Sequence, residues 1–407
     1  MTRPATIRQA AILAGGLGTR LGALTATTPK PVLPVAGRPF LAWLIRELSR
    51  YGVEEVLLLC GHLSTRLRDE VAAFNAGLPR PLIIRFSEEP APAGTGGALL
   101  HAAALLDERF LLCNGDSIFA CNLAELLADA ARDAPEVQGR IVTRRVPDAS
   151  RAGLVESVGD HIFRFHERPP VGVTEGTINA GIYVFDRRIL AELRPVCSLE
   201  RDILPAMAER GVLRATEGLG YFIDIGVPAD YARAQTELPA ALRRPALFLD
   251  RDGVLNHDHG HVGTRDRFIW IDGAIEAVAR ATRAGRHVFI VTNQSGVARG
   301  FYDEAAVHEL IGWMRGEILA AGGTIDDYRY CPFHPEAPLP AYRRVADCRK
   351  PAPGMINDLL ARWQLDPAQC FLIGDQVTDL QAATAAGIAS HHFSGGDLDA
   401  FLRPLLA

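Results

Sequence analysis

Apolar residues fall along this chain in two rhythms. Short, nearly continuous apolar runs, QAAILAGG, VEEVLLLC, LIIRF and RFLLCNGD early on and ALFLD, HVFIVTN and CFLIGD later, predict strands buried on both faces. Between them lie amphipathic stretches such as 39–51, where Phe40, Leu44 and Leu48 recur at helical spacing and Gly52 follows as a stop signal. This alternation predicts an α/β protein with mainly parallel sheets. The segment from about 140 to 225 departs from it: GLVESVGDHIFRFHER, INAGIYVFD and VLRATEGLGYFIDIG predict hairpins and an antiparallel extension, the kind of insertion that carries substrate contacts.

A length of 407 residues exceeds what one hydrophobic core usually covers and fits two domains. A polar, Pro-containing stretch, ELPAALRRP, precedes a fresh strand that ends in aspartates, which predicts a linker at 239–244 between domains at 1–238 and 245–407. A net charge of −5 with 22% charged residues gives no broad basic field, which argues against nucleic-acid and membrane-surface partners, so any anion site must be built locally. The seven cysteines show no paired framework, and several sit inside apolar runs, as reduced thiols of a cytoplasmic protein do. No signal peptide is expected from MTRPATIRQAAILAGG, and no run approaches the roughly 18 apolar residues of a membrane span.

The turn Gly15-Gly16-Leu17-Gly18-Thr19-Arg20 follows the first strand directly. Its backbone N–H groups can approach phosphates and Arg20 adds a planar cation, although tight turns also need glycine for conformation alone. Leu21 stands where a dinucleotide fingerprint has its third glycine. Further along come Lys30 in TTPKPVLPVAGRP, EEPAPAGTGGAL, NGDSIF, FHERP, NAGIYVF and YFIDIGVPADY. In this order, over nearly all of 8–235, they resemble the sugar-1-phosphate nucleotidyltransferase family.

That resemblance implies a Rossmann-like fold that joins a nucleoside triphosphate to a sugar 1-phosphate and releases pyrophosphate. It implies Asp116 and Asp224 as Mg²⁺ ligands, and Arg20 and Lys30 as the cations that stabilise the triphosphate. Gly15, Gly16, Gly18 and Thr19 would line the phosphates, and Gly94, Gly96 and Gly97 would let a nucleobase lie close. Glu167, Arg168 and Asn179 would hold the sugar phosphate; Arg168 replaces the usual lysine, and a solvated Glu167–Arg168 pair is the plain alternative. Asp202 is expected at a helix start.

In the last third, Asp250 and Asp252 stand two residues apart after a strand, with Gly253 permitting the turn. One can attack phosphorus and the other protonate the leaving oxygen. Thr292 and Asn293 end HVFIVTN with hydrogen-bond donors, Lys350 supplies a cation and Asp375 a hard ligand. This set resembles the haloacid dehalogenase-like phosphatases. Within them, DRDGVLNHDHGHV, VTNQSGVARG, YCPFHPE, DCRKPAPGM and GDQVTDLQAA look like D-glycero-D-manno-heptose 1,7-bisphosphate phosphatases over 246–393, with histidinol-phosphate phosphatases as the nearest competitor.

The resemblance implies Asp250 as nucleophile, Asp252 as general acid and base, Mg²⁺ on Asp250, Asp375 and the Asp252 carbonyl, and Arg349 and Lys350 on phosphate. Asp379 could steady the metal shell or face solvent. Family members often carry a zinc clip of two cysteines, a histidine and another cysteine; here the positions read Cys331, Phe333, Ala346 and Cys348. Even with adjacent His334 a fourth ligand is lacking, so no zinc is expected. Gln376 stands where relatives have a lysine, and His257, His259 and His261 read as a polar substrate loop in preference to a metal site.

Both domains are therefore expected to be Rossmann-like three-layer α/β/α sandwiches with Mg²⁺ sites, the first with an antiparallel extension. The first is also similar to D-glycero-α-D-manno-heptose 1-phosphate guanylyltransferases, so the fusion suggests two consecutive steps to GDP-heptose, with GTP and heptose phosphates as partners. A hexose-1-phosphate nucleotidyltransferase fused to a histidinol-phosphate-type or broad-specificity phosphatase is the other reading. Base, anomer and oligomeric state, a homo-oligomer included, stay open.

Overall fold

The computed structural model describes residues 7–16, 18–61, 63–78, 81–149 and 153–406. Its contacts divide the chain into two units, Met1–Leu242 and Arg243–Ala407. The expected linker is helical at its start: the helix Pro228–Ala241 runs through Pro239 and buries Leu238. Each unit is a mixed α/β structure.

The first unit is built on a nine-stranded sheet. Its open half is parallel, with Gln9–Leu13 between Glu55–Cys60 and Arg109–Asn114, and Ile83–Glu88 at the edge. Ala10, Ala11 and Ile12 are fully buried, as the continuous apolar run requires. The helix Phe40–Arg50 covers the sheet with Phe40, Leu41, Leu44, Ile45 and Leu48, and Gly52 at φ 81° follows its end.

The expected extension is mainly antiparallel, and it closes on itself. Gly176–Asp186 pairs with Gly139–Val146, which pairs with Leu213–Glu217. His161 meets Arg214, the hairpin Leu154–Val158/His161–His166 follows, and Leu154 returns to Ile178. A register shift between Asn179 and Tyr183 lets the long strand bend and serve both neighbours.

The second unit carries a five-stranded, all-parallel sheet in the order Asp327–Cys331, His287–Asn293, Ala246–Leu249, Cys370–Gly374, Ala389–His392. Its central strand is fully buried, and separate apolar clusters around Leu247 and Phe248 fill the two faces. Among the described residues no helix is long and apolar enough to cross a membrane.

Candidate active sites

In the first unit the chemistry gathers beyond the carboxyl ends of Gln9–Leu13 and Arg109–Asn114, where open α/β sheets place ligands. The chain turns at Gly115 into Ser117–Phe119, which pairs antiparallel with Phe222–Asp224 and brings Asp224 opposite Ser117, beside Asp116. Buried Lys30 donates to Asp116 Oδ2 at 2.5 Å, with Asp224 Oδ1 at 4.0 Å. Arg20 joins them over Gly226: a β-carbon there would lie 2.8 Å from Asp224 Oδ1, 2.9 Å from Lys30 Nζ and 3.2 Å from Arg20 Nη2. Burial and the neighbouring Asp116 raise the Asp224 carboxyl above its ordinary range, against the opposing pull of Lys30 and Arg20. Such a group gains from a further cation.

Two cavities adjoin this centre and share Asn114 and Glu200. One, of about 410 Å³, is lined by Gly15, Gly16, Lys30, Glu89, Gly94 and Asp116 among others. The other, of about 480 Å³, is lined by Arg20, Arg144, Asn179, Phe222, Asp224 and Arg233 among others.

Of the expected residues, Gly15, Gly16, Gly94, Arg20, Lys30, Asn179, Asp116 and Asp224 come together here. Gly96 and Gly97 line neither cavity: β-carbons on them would strike Cys197 Sγ at 2.6 Å and the Pro195 carbonyl at 2.5 Å, so they let a helix pack on that segment. Gly18, at φ 63°, shapes the turn, its carbonyl accepting from the Thr25 hydroxyl; Thr19 is exposed and Leu17 lies outside the described residues. Glu167 and Arg168 are exposed and line neither cavity. Asp202 accepts from the Ser198 N–H and pairs with Arg201, which holds its carboxyl at about 2, a structural role at the start of a helical turn.

Three residues in these cavities went unread in the sequence. Glu89 follows the strand Ile83–Glu88; its Oε2 is buried without a partner, and burial raises its carboxyl. Arg144 lays its guanidinium over Phe222, 4.8 Å from the ring centroid, and forms no ion pair among the described residues. Glu200 accepts from the Thr95 and Ser198 hydroxyls. Glu89 was legible as the carboxylate ahead of Pro90 and the glycine-rich turn.

In the second unit, Lys350 is buried and its ammonium is shared by Asp250 Oδ1 at 2.8 Å, Asp379 Oδ1 at 2.6 Å and the Val291 carbonyl at 2.9 Å. Asp250 Oδ1 also accepts from the Arg251 N–H. Burial pushes the Asp250 carboxyl up to about 7, with Asp379 and Asp252 adding to it and Lys350 opposing. Oxygens of Asp250, Asp375 and Asp379 lie within 4.8 Å of one another, and Asp375 Oδ1 is buried without a partner. Gly253, at φ 87°, leaves room for Asp375: a β-carbon would lie 2.3 Å from its Oδ2.

Asp379 is thus buried in the site and does not face solvent. The Asp252 side chain stands outside the carboxylate group and accepts from Arg251, from Gln294 at 2.9 Å and from Asn256 at 3.0 Å. Asn293 makes reciprocal 3.1 Å bonds with the Lys350 backbone, which use its carbonyl oxygen and one amide hydrogen and leave the second Nδ2 hydrogen for another acceptor. Thr292 is buried and accepts from Gln294, which leaves its hydroxyl proton free to donate. Arg349 is half-buried and donates to the Phe333 carbonyl. Gln376 caps the helix Val377–Ala385 and donates to Asp375. His257 and His259 are exposed with stacked rings, and His261 packs on Phe301, so the three do not converge.

Residues 9–240 match the nucleotidyl transferase family, and residues 347–397 match the HAD-hydrolase-like family. The chain belongs to the nucleotidyl transferase family. The second unit of this nucleotidyl transferase carries a further membership: a D-glycero-beta-D-manno-heptose-1,7-bisphosphate 7-phosphatase of Rhodopseudomonas palustris is 49% identical over 167 residues, 41% of this chain and 93% of that protein. A fused phosphatase of that family therefore follows the transferase. Among solved structures, HddC from Yersinia pseudotuberculosis is 30% identical, covering 57% of this chain and 100% of its own, with a TM-score of 0.49. A UDP-glucose pyrophosphorylase shares the first unit's fold at 20% identity, covering 57% of this chain and 99% of its own, with a TM-score of 0.50.

Proposed function

We propose that this chain carries out two consecutive steps of nucleotide-activated heptose synthesis. The unit Arg243–Ala407 removes the 7-phosphate of D-glycero-D-manno-heptose 1,7-bisphosphate. The unit Met1–Leu242 transfers GMP from GTP to the resulting heptose 1-phosphate and releases pyrophosphate. The observation that carries the reading recurs in both units: a buried lysine ammonium lies between two aspartates, Lys30 by Asp116 and Asp224, Lys350 by Asp250 and Asp379. Such a centre accepts phosphate and a hard cation together. The all-parallel order of the second sheet supports a Rossmann-like three-layer arrangement there.

In the phosphatase, Asp250 Oδ2 is the attacking oxygen, since Oδ1 is held by Lys350 and the Arg251 N–H. The ester P–O bond breaks, Asp252 protonates the leaving oxygen, and Asp252 then takes a proton from the water that releases phosphate. The donors on Asp252 hold its carboxyl group in one orientation for both proton transfers. Thr292, Arg349 and Lys350 bind the phosphoryl oxygens. Asp250, Asp375 and Asp379 here, and Asp116 and Asp224 in the transferase, are the oxygen donors that fit Mg²⁺, which when bound offsets phosphate charge.

In the transferase, the cavity at Gly15, Gly16 and Gly94 takes the nucleotide, with Arg20 and Lys30 on its phosphates, and the cavity at Asn179 takes the sugar. The Glu89 carboxylate, whose Oε2 has no partner among the described residues, supports guanine, whose N1–H and N2–H₂ present paired donors that uracil and thymine lack. Glu89→Gln lowers the GTP-over-UTP preference in kcat/KM by roughly 10–100-fold, the worth of one bidentate base contact. A profile of turnover against all four nucleoside triphosphates reads it.

Arg144 supports binding of the sugar phosphate anion, because it is a cation in that cavity with no carboxylate partner. Arg144→Gln raises KM for the sugar 1-phosphate by about 10-fold or more and leaves KM for the triphosphate unchanged.

The direct test supplies both anomers of heptose 1,7-bisphosphate with GTP and Mg²⁺ and follows phosphate, pyrophosphate and GDP-heptose together. Both anomers are needed, since the phosphatase relative is named for the β form and the guanylyltransferases that the first unit resembles use the α form. No phosphate release from either anomer rejects the pathway.

A further inference from the structure

In the second unit two cysteine sulfurs face each other among apolar groups. Phe333 and Ala346 pack against the core beside Leu359 and Trp363, and Arg344 lays its guanidinium 3.6 Å from the Phe333 ring centroid. The two thiols meet: Cys348 Sγ lies 2.9 Å from Cys331 Sγ, well inside ordinary sulfur contact. Cys331 is fully buried, whereas Cys348 is the one cysteine of the seven that is partly exposed. Arg349 places a cation beside both sulfurs, and Lys350 follows it directly into the site.

We propose that Cys331 and Cys348 form a reversible disulfide under oxidising conditions, a covalent staple that fixes the segment carrying Arg349 and Lys350. With a peroxide as oxidant, the Cys348 thiolate attacks one peroxide oxygen, the O–O bond breaks and hydroxide leaves, giving a sulfenic acid. Cys331 then attacks that sulfur, the S–O bond breaks and water leaves; in total two thiols and one hydrogen peroxide give one disulfide and two waters. Closing the bond to about 2.05 Å needs less than 1 Å of sulfur movement from the present separation.

The full-length protein is treated with hydrogen peroxide, or in a second arm with oxidised glutathione, then alkylated, digested and examined by mass spectrometry. The expected product is a peptide pair joining Cys331 to Cys348, two hydrogens lighter than the reduced pair and reversed by dithiothreitol. Thermal unfolding of the oxidised protein shifts up by several degrees, and Cys348→Ser abolishes both changes. Oxidation that stops at a sulfenic or sulfinic acid without the crosslink overturns the proposal. So does stoichiometric zinc, measured by elemental analysis of protein purified without chelator and lost in Cys331→Ser, since the pair would then be metal ligands.

Discussion

Asp250→Asn abolishes phosphate release from heptose 1,7-bisphosphate, by roughly 10⁴-fold or more, while nucleotidyl transfer to supplied heptose 1-phosphate continues at its original rate. The amide is nearly isosteric and keeps a carbonyl oxygen for the Arg251 N–H, so the loop retains its shape. What disappears is the anionic oxygen that attacks phosphorus. The variant also faces Asp379 and Lys350 with one negative charge fewer, so stability changes little or rises. Phosphate and pyrophosphate assays on one preparation read both halves, and loss of both activities contradicts independent sites.

Lys30→Met has the reverse effect. Pyrophosphate release falls by about 10²–10³-fold, the cost of removing one fixed charge from a developing anion, and phosphate release from the bisphosphate is unaffected. Lys30 is buried against Asp116, so its loss leaves Asp116 and Asp224 facing each other with only Arg20 nearby. With the competing ammonium gone the pair attracts Mg²⁺ more strongly, so the Mg²⁺ concentration at which residual transfer is half-maximal falls. Thermal unfolding of the variant separates this from misfolding. Equal loss in both assays would mean that Lys30 supports the whole chain and not one centre.

The strands and both catalytic centres were legible because continuous apolar runs ending in Gly and Asp combine a burial signal with a chemical one. Lys30 with Asp116 and Asp224, and Asp250 with Lys350 and Asp375, required only that strand ends share one edge of a sheet. The remainder turns on side-chain partners that spacing does not encode. Asn293 reads as a donor to phosphate, and nothing in its spacing shows that its amide also ties down the Lys350 backbone from both sides. Asp379 reads equally as a support for the metal shell or as solvent-facing until Lys350 reaches it from a distant loop. Gly96 and Gly97 read as ligand-facing because a glycine string carries no direction. Arg144 hid in an ordinary alternating strand, since its meaning depends on Phe222, far away in the chain.

The closed circuit of strands in the first unit bears on selectivity. Arg144 and Asn179 both stand on its members, and hoops of backbone pairing hold those members on each side. Along those long ladders the wall yields less to a bulkier guest than a surface loop does, while the single pairs His161–Arg214 and Leu154–Ile178 that close the circuit are its softer seams. Choice among acceptors would then be written into a stiff rim, which evolution can retune one side chain at a time without disturbing the phosphate chemistry below.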